Sequence, residues 1–129
     1  MILGSPGRPL LGKVGEALAA SFLKRRGYRI VEQNYRCEQG ELDIIAEHEG
    51  ALVFVEVRAK SSDDFGTPLE SITPVKQAKL RQVAGRYLAE RDLPRFDSLR
   101  FDAVGITFQE GLDPRIELVR DAIVRRWRL

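Results

Sequence analysis

Cysteine is almost missing from this chain, where Cys37 is the single one in 129 residues. An internal disulfide is therefore excluded, and so is a cysteine-built zinc site within one chain. No apolar run reaches the ~20 residues that a membrane-spanning helix needs, and the first ten residues lack the apolar stretch of a secretion signal. These absences lead us to expect a cytoplasmic protein with no membrane partner. A strong charge excess is lacking too. Lys and Arg number 21 against 19 Asp and Glu, a formal +2, so total charge neither points to nor excludes a polyanionic partner. The placement of the cations has to decide. Internal repeats and low-complexity segments are also absent.

What is present suits one α/β domain. The chain is long enough to bury a real core, and 43% hydrophobic with 31% charged residues is an ordinary balance for a globular fold. Residues 1–11, with two prolines and little periodicity, read as a flexible N-terminal arm, and 12–129 as a single domain. Val14, Ala17, Leu18, Ala19, Phe22 and Leu23 recur at helical spacing over Gly12 to Arg26, and Gly27 supplies a stop. Three β-rich runs follow, Tyr28 to Tyr35, Glu41 to Glu47 and Leu52 to Arg58, with breaks short enough for antiparallel neighbours. The third, Leu-Val-Phe-Val-Glu-Val, is nearly continuous in apolar residues and predicts a central strand buried on both faces.

Thr73 is an N-cap candidate with Pro74 at the first helical position, and Val75, Ala78, Leu80, Val83, Ala84, Tyr87 and Leu88 form the helix's apolar surface. Phe101 to Phe108 and Ile116 to Val119 read as two further strands, and Asp121 to Trp127 as a terminal helix. The order α-β-β-β-α-β-β-α predicts a mixed β-sheet flanked by helices.

Two acids interrupt the strongly apolar strands. Asp43 lies in Glu41-Leu42-Asp43-Ile44-Ile45 and Glu56 in Val55-Glu56-Val57-Arg58. Ionised groups in such runs are costly unless paired, metal-bound or at a strand end. With Glu47 facing Leu52, the antiparallel register sets Ile45 opposite Phe54, Asp43 opposite Glu56 and Glu41 opposite Arg58. Two carboxylates with Cβ atoms ~5 Å apart on one side of a sheet repel unless a cation lies between them, and Mg²⁺ or Mn²⁺ would resolve that conflict. The competing reading places both acids at strand ends, solvated or paired with Arg58 and Lys60.

Gly40-Glu41-Leu42-Asp43-Ile44-Ile45, then Leu52-Val53-Phe54-Val55-Glu56-Val57-Arg58, Phe65-Gly66, Thr73-Pro74-Val75-Lys76-Gln77-Ala78-Lys79-Leu80 and Arg100-Phe101-Asp102-Ala103-Val104 closely resemble the YraN-like family of bacterial proteins, over about Gly12 to Asp121. The resemblance implies a restriction-endonuclease-like fold, similar to that of archaeal Holliday junction resolvases. In nucleases of that fold an acid on the first helix, an Asp on one strand and a Glu-x-Lys on the next make the site. Carried over, these are Glu16, Asp43 and Glu56, with Val57 offering its carbonyl as a further metal ligand and Arg58 standing where the pattern has lysine. A guanidinium stays protonated and cannot serve as a general base, although it can stabilise phosphate charge. Lys60 shares the face of Glu56 and Arg58 and is the candidate for the missing role. Glu16, near a helix N-terminus, could also simply complement the helix dipole. Leu23, two turns on, points almost the same way as Glu16, which argues that this acid faces the sheet.

Lys76 and Lys79 sit in the first turns of the second helix, where cations are unfavourable unless an anion binds. They are candidates for nucleic-acid backbone contacts, and the resemblance suggests that Gln77 supports the reacting water or touches the nucleic acid. A solvated helix face competes with this reading, as it does for Lys24-Arg25-Arg26 and Arg125-Arg126. His48, Cys37 and Trp127 read as structural, and Asp102 as an acid at a strand start that orients a neighbour. The leading functional reading is a metal-dependent endonuclease acting on DNA, branched DNA included, and working as a homodimer because related resolvases pair two sites. Against it stand a non-catalytic nucleic-acid-binding module, motivated by Arg58, and a protein-interaction scaffold.

Overall fold

The structure is a computed structural model that describes residues 8–62, 66–93 and 96–122. Helix α1 spans Arg8–Arg25. It is followed by β1 (Arg29–Cys37), β2 (Gly40–His48) and β3 (Ala51–Ser61), a 3₁₀ turn at Pro68–Ser71, helix α2 (Pro74–Glu90), and then β4 (Ser98–Phe108) and β5 (Arg115–Val119). The helix begins at Arg8, inside the stretch read from sequence as a loose arm. The helix expected over Asp121–Trp127 lies, beyond Ala122, outside the described residues, as do Arg125, Arg126 and Trp127.

The sheet runs in the order β1-β2-β3-β4-β5, so the apolar β3 is central as its sequence requires. β1, β2 and β3 are antiparallel neighbours, joined by two-residue turns at Glu38-Gln39 and Glu49-Gly50. Glu49 and Gly50 both adopt positive φ, 52° and 80°, as a tight hairpin matched to strand twist demands. α2 carries the chain across to β4, which pairs with β3 in parallel, and β5 returns antiparallel to β4.

Among the described residues, each face of the sheet buries one helix. Ala19, Ala20 and Leu23 of α1 pack on Ile44, Ala46, Val53, Val55, Val57, Val104 and Ile106. Leu80, Val83, Ala84 and Tyr87 of α2 pack on Leu42, Ile45, Leu52, Phe54 and Phe101. The first residues of each apolar stripe, Val14 and Val75, are exposed. Thr73 caps α2 as expected, its hydroxyl accepting from the Lys76 amide at 3.3 Å. A Cβ at Gly15 would stand only 2.9 Å from the Cβ of Ala59, so a glycine is what lets α1 lie this close to β3.

Candidate active site

The register between β2 and β3 is the expected one from His48↔Ala51 through Glu47↔Leu52 and Ile45↔Phe54, and the ladder stops at Ile44↔Val55. Asp43 and Glu56 lie one step beyond. There the strands part, and Asp43 Oδ2 accepts the main-chain amide of Val57 at 2.8 Å. Side-chain alternation is interrupted at the same place. Leu42 packs with Ile45 on the α2 side, although strict period-two pleating would send it with Ile44 to the α1 side. Asp43 and Glu56 are both buried, 7% and 8% exposed, and their carboxyls meet within hydrogen-bonding reach. Glu41 pairs with Arg36 of β1 at 3.0 Å, not with Arg58.

α1 delivers the third acid. Glu16 is half-buried and stands close enough to Asp43 and the side chain of Asn34 to interact with both. Burial, then the charge of Asp43 and the shared hydrogen bond, push its pKa up from 4.5 to about 7, while Asn34 pulls it down. Asp43 is also held above the ordinary carboxyl range, first by burial, then by its hydrogen bond to Glu56 and the charge there, with the Val57 amide opposing. Glu16 and Asp43, driven toward protonation by burial and by neighbouring acids, stand with the Glu56 carboxyl as a hard-oxygen donor set that a divalent cation would suit. Among the described residues no three His, Cys, Asp or Glu side chains already form a metal cage. Mg²⁺ does not require one, because it keeps several waters and binds through one or two carboxylates. The Val57 main chain is fixed beside these acids by its amide's bond to Asp43.

Cations line the α2 side. Arg58 Nη2 stands 3.8 Å from Glu56 Oε1, and Arg58 Nε is buried without a hydrogen-bond partner. Lys76 and Lys79 join Glu41, Glu56 and Arg58 around a cavity of about 230 Å³ floored by Leu80 and Val83. Two expected residues are directed elsewhere. Lys60 Nζ donates to the Gly66 carbonyl, and Gln77 Nε2 donates to the Ile72 carbonyl at 3.3 Å, bracing the turn before α2. Lys24 and Arg25 end α1, where cations favour the helix dipole. They lie ~12 Å along the axis from Glu16.

A family model described as "Uncharacterised protein family UPF0102" matches residues 15–106. UPF0102 proteins of Syntrophus aciditrophicus and Clavibacter michiganensis are 45% and 40% identical to the chain, covering 86% and 87% of it and 86% and 94% of their own lengths. One of Moorella thermoacetica is 50% identical over 74% of the chain and 78% of its own length. The chain belongs to the UPF0102 family. This is the YraN-like family that its motifs resemble. The UPF0102 match takes in every acid and cation named above from Glu16 to Lys79, and leaves out β5.

The UPF0102 domain also holds a polar cluster that sequence reasoning missed. Asp102 is not at a strand start but four residues into β4, fully buried. It accepts hydrogen bonds from Tyr28 (2.6 Å), Arg100 Nε (2.8 Å) and the Asp121 amide (2.9 Å). Burial pushes its pKa up, but the bonds from Arg100 and Tyr28 outweigh that and hold it low. His48, expected in a turn, ends β2, stacks on Tyr28 at 4.0 Å and meets Arg100 Nη2 through Nδ1 at 2.8 Å. The partners stand 52 and 74 residues apart, so no local pattern signals them. Asn34 was the other omission. An Asn inside a β-rich run is the available signal, because Asn tolerates the left-handed conformation, here φ 57°.

Proposed function

We propose that this chain is a divalent-metal-dependent endonuclease that hydrolyses phosphodiester bonds in DNA, branched DNA included. The observation that carries the reading is the convergence of Glu16, Asp43 and Glu56 where β2 and β3 part, beside the fixed charge of Arg58. Asp43 and Glu56, with the Val57 carbonyl, would hold Mg²⁺ or Mn²⁺, and Glu16 would join them. When bound, the cation would neutralise phosphate charge and favour ionisation of the attacking water. The pKa values of Glu16 and Asp43 are raised in the cation-free site, so cation binding would strengthen as pH rises and would be accompanied by proton release. Arg58 stabilises negative charge developing on the phosphate oxygens. Lys76 and Lys79 hold the backbone beside it, so phosphate contacts set register without reading sequence. Lys60 could act as a base only after leaving the Gly66 carbonyl. A homodimer would present two such sites to two strands.

Arg58 also motivates a second reading, a nucleic-acid-binding module of the same fold without hydrolysis. Incubating the protein with supercoiled, linear and four-way-junction DNA in Mg²⁺ or Mn²⁺, with a chelator control, separates the two. Metal-dependent cleavage is the expected result. Salt-dependent binding without cleavage would favour the module, and the absence of both would remove both readings.

A further inference from the structure

A cavity of about 510 Å³ lies between α1 and the β1–β2 hairpin, and of its lining only Glu16 belongs to the proposed cation site. It is lined by Lys13, Glu16, Gln33, Asn34, Arg36 and Glu41, among others. It adjoins the carboxylates, since Glu16 forms one wall and interacts with Asp43. It also shares Glu41 with the groove of Lys76 and Lys79. The two recesses therefore flank the Arg36–Glu41 ion pair like rooms on either side of a sill.

The backbone is bent to furnish this cavity. In a regular strand, consecutive side chains point to opposite faces. Asn34 instead takes φ 57° in the middle of β1, so that Gln33 and Asn34 both line the cavity while Tyr35 joins the α2-side core. A non-glycine residue in this conformation inside a strand is uncommon, and Asn, which tolerates it, here turns two consecutive polar side chains into one recess.

The lining has mixed chemistry. Lys13 has no ion-pair partner among the described residues, and Arg36 is exposed with only its Nε on Glu41. Two cations suit a phosphate, but Glu16 and Glu41 make the recess a poor hole for a bare anion. The two carboxamides offer donors and acceptors together, as a base edge requires. The volume falls in the range of small-ligand sites. A base still paired and stacked in a duplex cannot enter such a recess, whereas an unpaired one enters with little cost.

We infer that this cavity receives an unpaired nucleotide adjoining the cleaved phosphate, on the side away from Lys76 and Lys79. The inference rests on the nuclease reading and names its substrate class: DNA with an unpaired nucleotide beside the scissile bond, as in a flap, gap or bulge. Continuous duplex is the poorer substrate.

The test compares two DNAs of one sequence, one fully paired and one carrying a single unpaired fluorescent adenine analogue. Binding is read by anisotropy with chelator present, and cleavage in Mn²⁺. The wild type should prefer the unpaired DNA by about tenfold, the worth of one or two net hydrogen bonds, and the analogue's emission should change on binding. The double variant Lys13→Gln/Gln33→Ala, checked by thermal melting to be folded, should lose both the preference and the emission change. Equal binding and cleavage of the two DNAs by the wild type, or a preference that survives in the double variant, would overturn the cavity's role and leave the nuclease reading standing. A preference lost in the double variant, with no cleavage in any metal, would support the cavity and remove the nuclease reading. Failure of the wild type to bind or cut either DNA would remove both.

Discussion

The Val57 amide donates to Oδ2 of Asp43 at 2.8 Å, across the point where β2 and β3 part. Asp43 thus does two things at once. Its charge is opposed by Glu56 and Glu16, while its oxygen satisfies a buried main-chain donor.

Substitutions should separate those two parts. Asp43→Ala leaves the Val57 amide without a partner and should cost about 1–3 kcal/mol of stability. Asp43→Asn keeps an acceptor there and should cost much less. Glu56→Gln removes a repelling charge, so the cation-free protein should be as stable as the wild type or more so. All three should abolish Mn²⁺ binding and cleavage. Urea melts with calorimetric metal titration provide the check, and equal destabilisation by Asp43→Ala and Asp43→Asn would count against the Val57 bond.

Stability should depend on pH in a direction set by the same acids. Glu16 is raised from 4.5 to about 7 and Asp43 is raised too, so between those values the folded state holds more protons than the unfolded one. Their contribution is fully present below the unfolded pKa and is lost as pH rises through the folded one. Without metal, the melting temperature should therefore fall from about pH 4.5 to pH 7 and above. Mg²⁺ should recover the loss mainly at the alkaline end, and Glu16→Gln should flatten the profile. Asp102, held low, works oppositely and only under acid conditions. A cation-free melting curve that rises over this interval, with the same slope in Glu16→Gln, would contradict the assignment.

Much of this architecture was legible in the sequence because its signals are local. The run Leu52 to Val57 is apolar on both faces and becomes the central strand, and Thr73-Pro74 starts α2. Glu47 opposite Leu52 fixed a register that holds to Ile44↔Val55. Asp43 and Glu56 were expected to be the next opposed pair. They do meet, but through their side chains where the ladder has ended, and pairing rules do not say where a ladder ends. The left-handed turn at Asn34 and the Tyr28–His48–Arg100–Asp102 cluster depend on tertiary partners. Glu16 lay between the two cases. Helical spacing relative to the buried Leu23 gave its direction, and only the close seat of α1 gave its contact with Asp43.

Lys76 and Lys79 line the groove beside Glu56 and Arg58. Replacing both with Gln should weaken DNA binding across sequences and reduce the salt dependence by about two units of slope, near 0.9 for each phosphate left without its cation. Binding titrations at several salt concentrations measure this, and an unchanged slope would return both lysines to a solvated helix face.

Arg58 should act by holding charge. Arg58→Lys is expected to retain or increase cleavage, and Arg58→Gln to lower it by about 10²-fold, as the loss of a preorganised cation usually does. Metal affinity should hold or tighten in Arg58→Gln, since a cation 3.8 Å from Glu56 is removed. Single-turnover rates and metal titrations test both parts. Equal rates for wild type and Arg58→Gln would exclude a catalytic part for Arg58.

Two of the three acids ride on the sheet and the third does not. Glu16 arrives on a helix whose neighbouring residue, Gly15, has room for no side chain above Ala59. The seat of α1 is thus about one methyl group deep, and its depth sets how far Glu16 reaches toward Asp43. A small outward slide of α1 would withdraw one carboxylate and leave the Asp43–Val57 bond intact. The appetite of the site for cations would then follow the position of a single helix.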